Sequence, residues 1–158
     1  MIRRAAADDA DWIREVAATV YEQFGDYGTI IPAWMSHPGV LTFIETSDEG
    51  ERRGFILVGF YEPPDAPQGS FVADLLAIAV VPVHQRRGVG RNLLEYAIDL
   101  STLAGDRVLV PELRLTVAHT NLPAQRLFER AGFQVLDEQH GNYDGGQRAI
   151  RMRRWLKK

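Results

Sequence analysis

The stretch FVADLLAIAVVPVHQRRGVGRNLLEYAIDLSTLA, residues 71–104, constrains the fold more than any other part of the chain. Residues 71–81 are apolar on both faces, as expected of a strand near the centre of a sheet rather than at its edge. The run ends at a proline. Two arginines and two glycines follow, and then a segment with Val89, Leu93, Ala97 and Leu100 on one helical face. A buried strand feeding a glycine turn and then a helix requires layers of sheet and helix packed on one another.

The flanking segments fill in those layers. Residues 1–5 suit a short strand. From Asp8 onward, Ile13, Val16, Ala17, Val20 and Phe24 repeat at helical spacing, with Asp8 or Asp9 as the cap. The segment GDYGTIIPAWMSHPG, 25–39, is rich in Gly, Pro and aromatics, and a short helix is expected around 32–36. Residues 41–46 and 54–62 read as strands joined by a polar turn, and a proline-rich turn follows at 62–70. Leu113, Leu115 and Val117 alternate with polar residues as a strand does. Ala124, Leu127, Phe128 and Ala131 form another helical stripe, which Gly132 ends. Residues 133–136 and 149–155 are the last strands. The order is β-α-α-β-β-β-α-β-α-β-β. Its central hairpins speak against a doubly wound parallel sheet and for a mixed α/β fold of the α+β type, with helices packed on a largely antiparallel sheet. No linker or repeat divides residues 1–158, so one domain is expected.

Composition removes several function classes. The net charge is −3, without the basic excess that nucleic-acid binding usually shows. The chain has no cysteine, which rules out disulfides, cysteine–zinc sites and a cysteine nucleophile; no metal site is expected. The longest apolar run, LLAIAVVPV, is well short of the ~20 residues of a spanning helix. The start MIRRAAADDADW has no apolar core of a secretory signal. A cytoplasmic protein without a membrane partner is expected.

The glycine–arginine turn is either a surface turn or a cradle for an anion. A helix start carries unpaired N–H groups and the positive end of the helix dipole. Gly88 and Gly90 allow a ligand to approach the backbone, and Arg86, Arg87 and Arg91 add positive charge. The phosphate loop G-x-x-x-x-G-K-S/T occurs nowhere in the chain. The dinucleotide fingerprint G-x-G-x-x-G fails because Leu93 stands at its third glycine.

Gln85-Arg86-Arg87-Gly88-Val89-Gly90 matches every fixed position of Q/R-x-x-G-x-G/A, the acyl-CoA signature of the GNAT superfamily of N-acetyltransferases, and the chain resembles that family. Residues 121–133, NLPAQRLFERAGF, resemble its N-x-x-A-x-x-L/F-Y/F-x-x-x-G-F segment, and IRRAAADDADWI resembles its opening strand and helix. The resemblance implies a sheet of about seven strands flanked by about four helices, splayed between the fourth and fifth strands. It implies acetyl-CoA as cosubstrate. The pantetheine arm would pair with the fourth-strand edge at Leu76, Ile78 and Val80. The pyrophosphate would rest on N–H groups from Arg86 to Arg91, with Gln85 and Val89 in the same motif. Asn121, Ala124 and Phe128 would line the remainder.

The implied reaction moves an acetyl group from a thioester to a primary amine. Such an amine, with a pKa near 10.4, arrives protonated and needs a base. The carbonyl oxygen gains negative charge and needs a fixed donor. Asp74 lies eleven residues before Gln85, the offset of a catalytic glutamate in the histone-acetylating branch, and is the candidate base, acting through water. The N–H of Ile78 is the candidate donor. Phe128 departs from the pattern: many members carry a tyrosine there that protonates the leaving thiolate. Tyr143 or water would have to substitute. His119 and His37 read more simply as loop histidines.

The resemblance places the amine acceptor between 21–43, with Tyr21, Phe24, Tyr27, Trp34 and Phe43, and 139–148. Glu22, Asp26 and Asp144 are carboxylates available to a cationic amine. The acceptor is a small-molecule amine or a protein or peptide amine, and homodimers are common in the family. With the tyrosine missing, the alternative is a non-catalytic acyl-CoA-binding sensor or regulatory module of the same fold.

Overall fold

In the computed structural model, residues 1–64 and 66–156 are described; Asp65, within the proline-rich turn, and the last two residues lie outside them. The alternating apolar residues of the central segments put one set of side chains on each face of a seven-stranded sheet. The strands are β1 (Ile2–Arg4), β2 (Val40–Thr46), β3 (Arg52–Tyr61), β4 (Val72–Val80), β5 (Glu112–Ala118), β6 (Gln134–Asp137) and β7 (Ala149–Trp155). Their spatial order is β1-β2-β3-β4-β5-β7-β6. Every neighbouring pair is antiparallel except β4 and β5. The four helices are α1 (Ala10–Val20), α2 (Tyr27–Met35), α3 (Val89–Ala104) and α4 (Leu122–Arg130).

Helices α1 and α2 cover one face. Ile13, Ala17 and Ile31 pack there on Ile44, Phe55 and Leu57, all buried. Helix α3 covers the other face, where Leu93, Leu94 and Ala97 meet Ile56, Val58 and Leu75, and Phe128 of α4 joins the same core. A fully buried leucine such as Leu93 contributes about 1.5–3 kcal/mol relative to exposure.

A bulge in β4 organises the site. Val58 pairs with Leu75 and Leu57 with Ala77, so Leu76 is the extra residue. The insertion reverses the facing of the strand. Ala73 and Leu75 point to the α3 side, whereas Ala77 and Ala79 point to the α1 side. At the same level β4 leaves β5. The parallel ladder joins Ala73 to Leu113, Asp74 to Arg114 and Leu75 to Leu115, and goes no further. The β4–β5 ladder therefore ends at Leu75 and Leu115.

Two local readings are corrected. Helix α2 begins at Tyr27 rather than near 32, with Pro32 inside it. Helix α1 ends at Val20, so Phe24 sits in the following turn. Asp9 stands at the N-cap of α1 as expected, though its side chain makes no capping bond to the helix. Its carboxylate accepts from the N–H of Ala6 at 2.7 Å and from Arg3 and Arg52, stapling β1, the start of α1 and β3 together. Among the described residues no helix is long and apolar enough to cross a membrane. No group of three or more metal-ligating acidic or histidine side chains occurs among them.

Candidate active site

Two cavities, of about 840 Å³ and about 300 Å³, lie along β4: the larger between β4, α3 and α4, the smaller where β4 parts from β5. Ile78 and Phe128 line both, so the cavities meet at these two residues.

The larger cavity runs from the β4 edge to the glycine–arginine turn. Of the residues expected to hold a cosubstrate, Ile78, Val80, Gln85, Arg86, Gly88, Gly90, Arg91, Asn121, Ala124 and Phe128 line it. The turn is held open by backbone geometry. Arg86 and Gly88 both have left-handed φ, 64° and 84°. That conformation is costly for an arginine. The Gln85 side chain donates to the Val80 carbonyl at 3.1 Å, tying the turn to the end of β4. A Cβ at Gly90 would meet only Val80 and Leu127, at 3.6 and 3.7 Å. Protein packing therefore does not require glycine at 90, whereas a ligand lying on the backbone there would. The residues fit a pyrophosphate-bearing group.

The remaining expected residues are placed differently. The Val89 side chain is buried in the core, which leaves only its backbone for a ligand. Arg87 is exposed and is not among the lining residues. Leu76, the bulge residue, faces the smaller cavity. Arg91 is ion-paired with Glu95 one turn on, at 3.1 Å. The Asn121 Oδ1 accepts from the N–H of Ala124 at 3.3 Å, so Asn121 caps α4 as well as lining the cavity.

The smaller cavity is lined by Tyr21, Tyr27 and Trp34 from the α1–α2 segment, by Asp74 and Leu76 from β4, and by Tyr143 and Arg151. Asp74 is buried, and its carboxylate accepts from Arg151 at 2.9 Å. Burial raises its pKa above the ordinary carboxylate value, against the opposing pull of Arg151, Arg114 and His140. Tyr143 comes from the β6–β7 loop. This loop docks on the end of α1: the N–H of Gly145 donates to the Phe24 carbonyl, Gln147 donates to the Gln23 carbonyl, and the rings of Phe24 and Tyr143 lie 5.2 Å apart. Burial holds the Tyr143 phenol above its ordinary pKa, so it remains an O–H donor.

The N–H of Ile78 is already engaged: the Tyr21 hydroxyl accepts from it at 3.0 Å and donates to the Ile78 carbonyl at 2.7 Å. Phe43 lies away from this cavity, packed on Tyr96 in the α3 core. Glu22, Asp26 and Asp144 do not line the cavity. His119 accepts from the N–H of Arg148 through Nδ1 at 2.9 Å, tying the segments just beyond the paired ends of β5 and β7, and His37 accepts from that of Gly39 at 3.1 Å within a local turn. The sequence reading missed Arg151, its partner Thr116 and the bridging role of Tyr21. Alternation along 149–155 could have flagged an arginine on the Ala149 face, though not its partner.

The acetyltransferase (GNAT) family model matches residues 8–133. None of the curated proteins matches the sequence. Among solved structures, the ribosomal-protein-S18-alanine N-acetyltransferase of Escherichia coli is 25% identical, with a TM-score of 0.77, covering 100% of this chain and 94% of its own. NAA60 of Arabidopsis thaliana in complex with acetyl-CoA is 12% identical, with a TM-score of 0.78 and coverage of 99% and 98%. Nourseothricin acetyltransferase is 21% identical, with a TM-score of 0.73 and coverage of 99% and 98%. The family model's match over most of its length shows that this chain belongs to the GNAT acetyltransferase family.

Proposed function

We propose that the protein transfers an acetyl group from acetyl-CoA to a primary amine by direct attack, with both substrates bound at once. The observation that carries this reading is the meeting of the two cavities at Ile78 and Phe128. A donor lying along the larger cavity would present its thioester at that junction, and an amine would reach it from the smaller one. The cradle from Arg86 to Arg91 would hold the pyrophosphate, and the β4 edge from Leu76 to Val80 the pantetheine arm. With no cysteine in the chain, no cysteine acyl-enzyme can form.

In this scheme Asp74 takes the amine's proton through water. Its raised pKa makes it a stronger base than an exposed carboxylate once ionised. Arg151, itself held by Thr116, fixes its orientation. The protonated Tyr143 phenol donates toward the departing sulfur, the task a tyrosine at position 128 would otherwise perform. A thiol pKa near 8.5 makes that help modest, because the thiolate is already a fair leaving group.

The smaller cavity favours a compact or extended amine with apolar neighbours over a polycation, because its one carboxylate is already paired with Arg151. The Escherichia coli structure is of an enzyme for a protein alanine, so peptide N-termini head the acceptor panel. The test is acetyl-CoA-dependent thiol release with peptides bearing free N-termini, lysine peptides, polyamines, amino acids and aminoglycosides. Release with one class supports the reading and names the acceptor. Tight acetyl-CoA binding without release on any class would favour the acyl-CoA sensor, for which Phe128 in place of tyrosine is the supporting observation.

A further inference from the structure

We infer that the hydroxyl of Tyr21 is a second hydrogen-bond donor to the carbonyl oxygen of the transferred acetyl group, beside the N–H of Ile78. The inference rests on the acetyltransferase reading above.

Tyr21 ends helix α1, its own N–H bonded to the Ala17 carbonyl at 3.1 Å. Its hydroxyl crosses to the opened edge of β4 and bonds both backbone groups of Ile78, accepting at 3.0 Å and donating at 2.7 Å. An oxygen in that place does for β4 what a neighbouring strand would do, so backbone groups facing a cavity are not left unpaired. An acyl oxygen that approaches the Ile78 N–H from the cavity shares that donor with the Tyr21 oxygen and comes within reach of the hydroxyl. The Tyr21 O–H, which otherwise donates to the Ile78 carbonyl, turns to the acyl oxygen by rotation about its own C–O bond. Its ring cannot swing far, being packed on Tyr27 at 4.9 Å and near Phe24 at 6.4 Å. The incoming oxygen is then an acceptor within reach of both donors. Burial keeps the phenol protonated, which suits a group that donates without transferring its proton.

The step balances without ionising Tyr21. As the amine nitrogen bonds to the carbonyl carbon, the π pair moves onto oxygen, and Ile78 N–H and Tyr21 O–H both donate to it. When the carbonyl re-forms, the carbon–sulfur bond breaks and its pair leaves on sulfur. The proton lost from nitrogen goes to Asp74 through water. Two fixed donors on one oxygen form the arrangement that lowers such barriers most.

The test is the infrared stretch of carbonyl-labelled acetyl-CoA bound to the wild-type protein and to Tyr21→Phe, read by difference spectroscopy without any acceptor. The wild-type complex should absorb at lower frequency than the variant complex. With an acceptor present, kcat in Tyr21→Phe should fall by about 100-fold while KM for acetyl-CoA changes little. Should Tyr21→Phe fail to fold, 3-fluorotyrosine at position 21, a stronger donor of the same shape, should push the stretch lower than in wild type. An unchanged stretch in the variant, or wild-type kcat, would confine Tyr21 to pairing the β4 edge and overturn the inference. A wild-type protein that does not bind acetyl-CoA would overturn the acetyltransferase reading itself, and this inference with it.

Discussion

Asp74 on β4 and Arg151 on β7 form a buried ion pair, Nη2 to Oδ2 at 2.9 Å, that reaches across β5 where the sheet begins to open. Arg151 also donates to Thr116 on β5 and to the Tyr61 hydroxyl on β3. One guanidinium therefore ties together both halves of the sheet near the end of the β4–β5 ladder. It also fixes the carboxylate proposed as base.

The pair gives Asp74 a distinct pH signature. Its pKa lies above the ordinary carboxylate value because burial outweighs the attraction of Arg151. Catalysis needs the ionised form, so kcat/KM should fall as pH drops through that raised value. Asp74→Asn should lower kcat by about 10²-fold or more, erase this limb and leave acetyl-CoA affinity unchanged. Arg151→Gln should move the limb to higher pH, because the carboxylate loses its counter-charge. It should also cost about 3–5 kcal/mol of stability by leaving a buried charge unpaired. A pH–rate profile with denaturant titrations on the three proteins reads all of this; an unmoved limb in Asp74→Asn would assign the base elsewhere.

Phe128 and Tyr143 face each other's task across the junction. Phe128 is buried edge-on against Phe133, ring centres 5.9 Å apart, and lines both cavities. Phe128→Tyr should keep or raise kcat, since it places a hydroxyl at the junction. Tyr143→Phe should lower kcat by about tenfold, less than a typical general acid because the thiolate leaves readily unaided. Steady-state rates with a saturating acceptor decide both. An inactive Phe128→Tyr that still binds acetyl-CoA would contradict the assignment.

Asp9 should govern acid stability with the opposite sign. The hydrogen bonds from Arg3, then from the Ala6 N–H and Arg52, hold its pKa well below the ordinary carboxylate range. A depressed folded-state pKa contributes stability above the unfolded value, near 3.9, that is lost as pH falls below it. Asp9→Asn should cost about 2 kcal/mol at pH 7, and its deficit against wild type should shrink steadily below pH ~4. Thermal melts from pH 7 to 2 test this; a deficit constant across the range would mean that packing, not charge, carries the effect.

The legible and illegible parts of this chain differ in physical kind. The glycine–arginine turn was legible because Gly88, Gly90 and the arginines shape it through local backbone, and sequence spacing encodes local backbone. Helix faces at Ile13 and Ala17 or Leu93 and Ala97 were legible through their period. The bulge at Leu76 was not, because a strand apolar on both faces has no alternation for an extra residue to break. Helix α2 was read too short because Gly28 and Pro32 punctuate it. Gly28 is there for contact, since a Cβ would lie 3.1 Å from that of Ala18 on α1. The partners of Asp74 and Ile78 lie 77 and 57 residues away, and only the folded sheet brings them together.

The central claim is that the glycine–arginine turn holds the pyrophosphate of acetyl-CoA. Titration calorimetry of acetyl-CoA into wild type and Gly90→Glu tests it most directly. A Cβ at 90 would meet Val80 and Leu127 no closer than 3.6 Å, so the variant should fold and melt as wild type does. The account predicts one site per chain in wild type and affinity about 100-fold weaker in Gly90→Glu, roughly 2.7 kcal/mol, from crowding and charge repulsion. Equal affinity in the two proteins would contradict it.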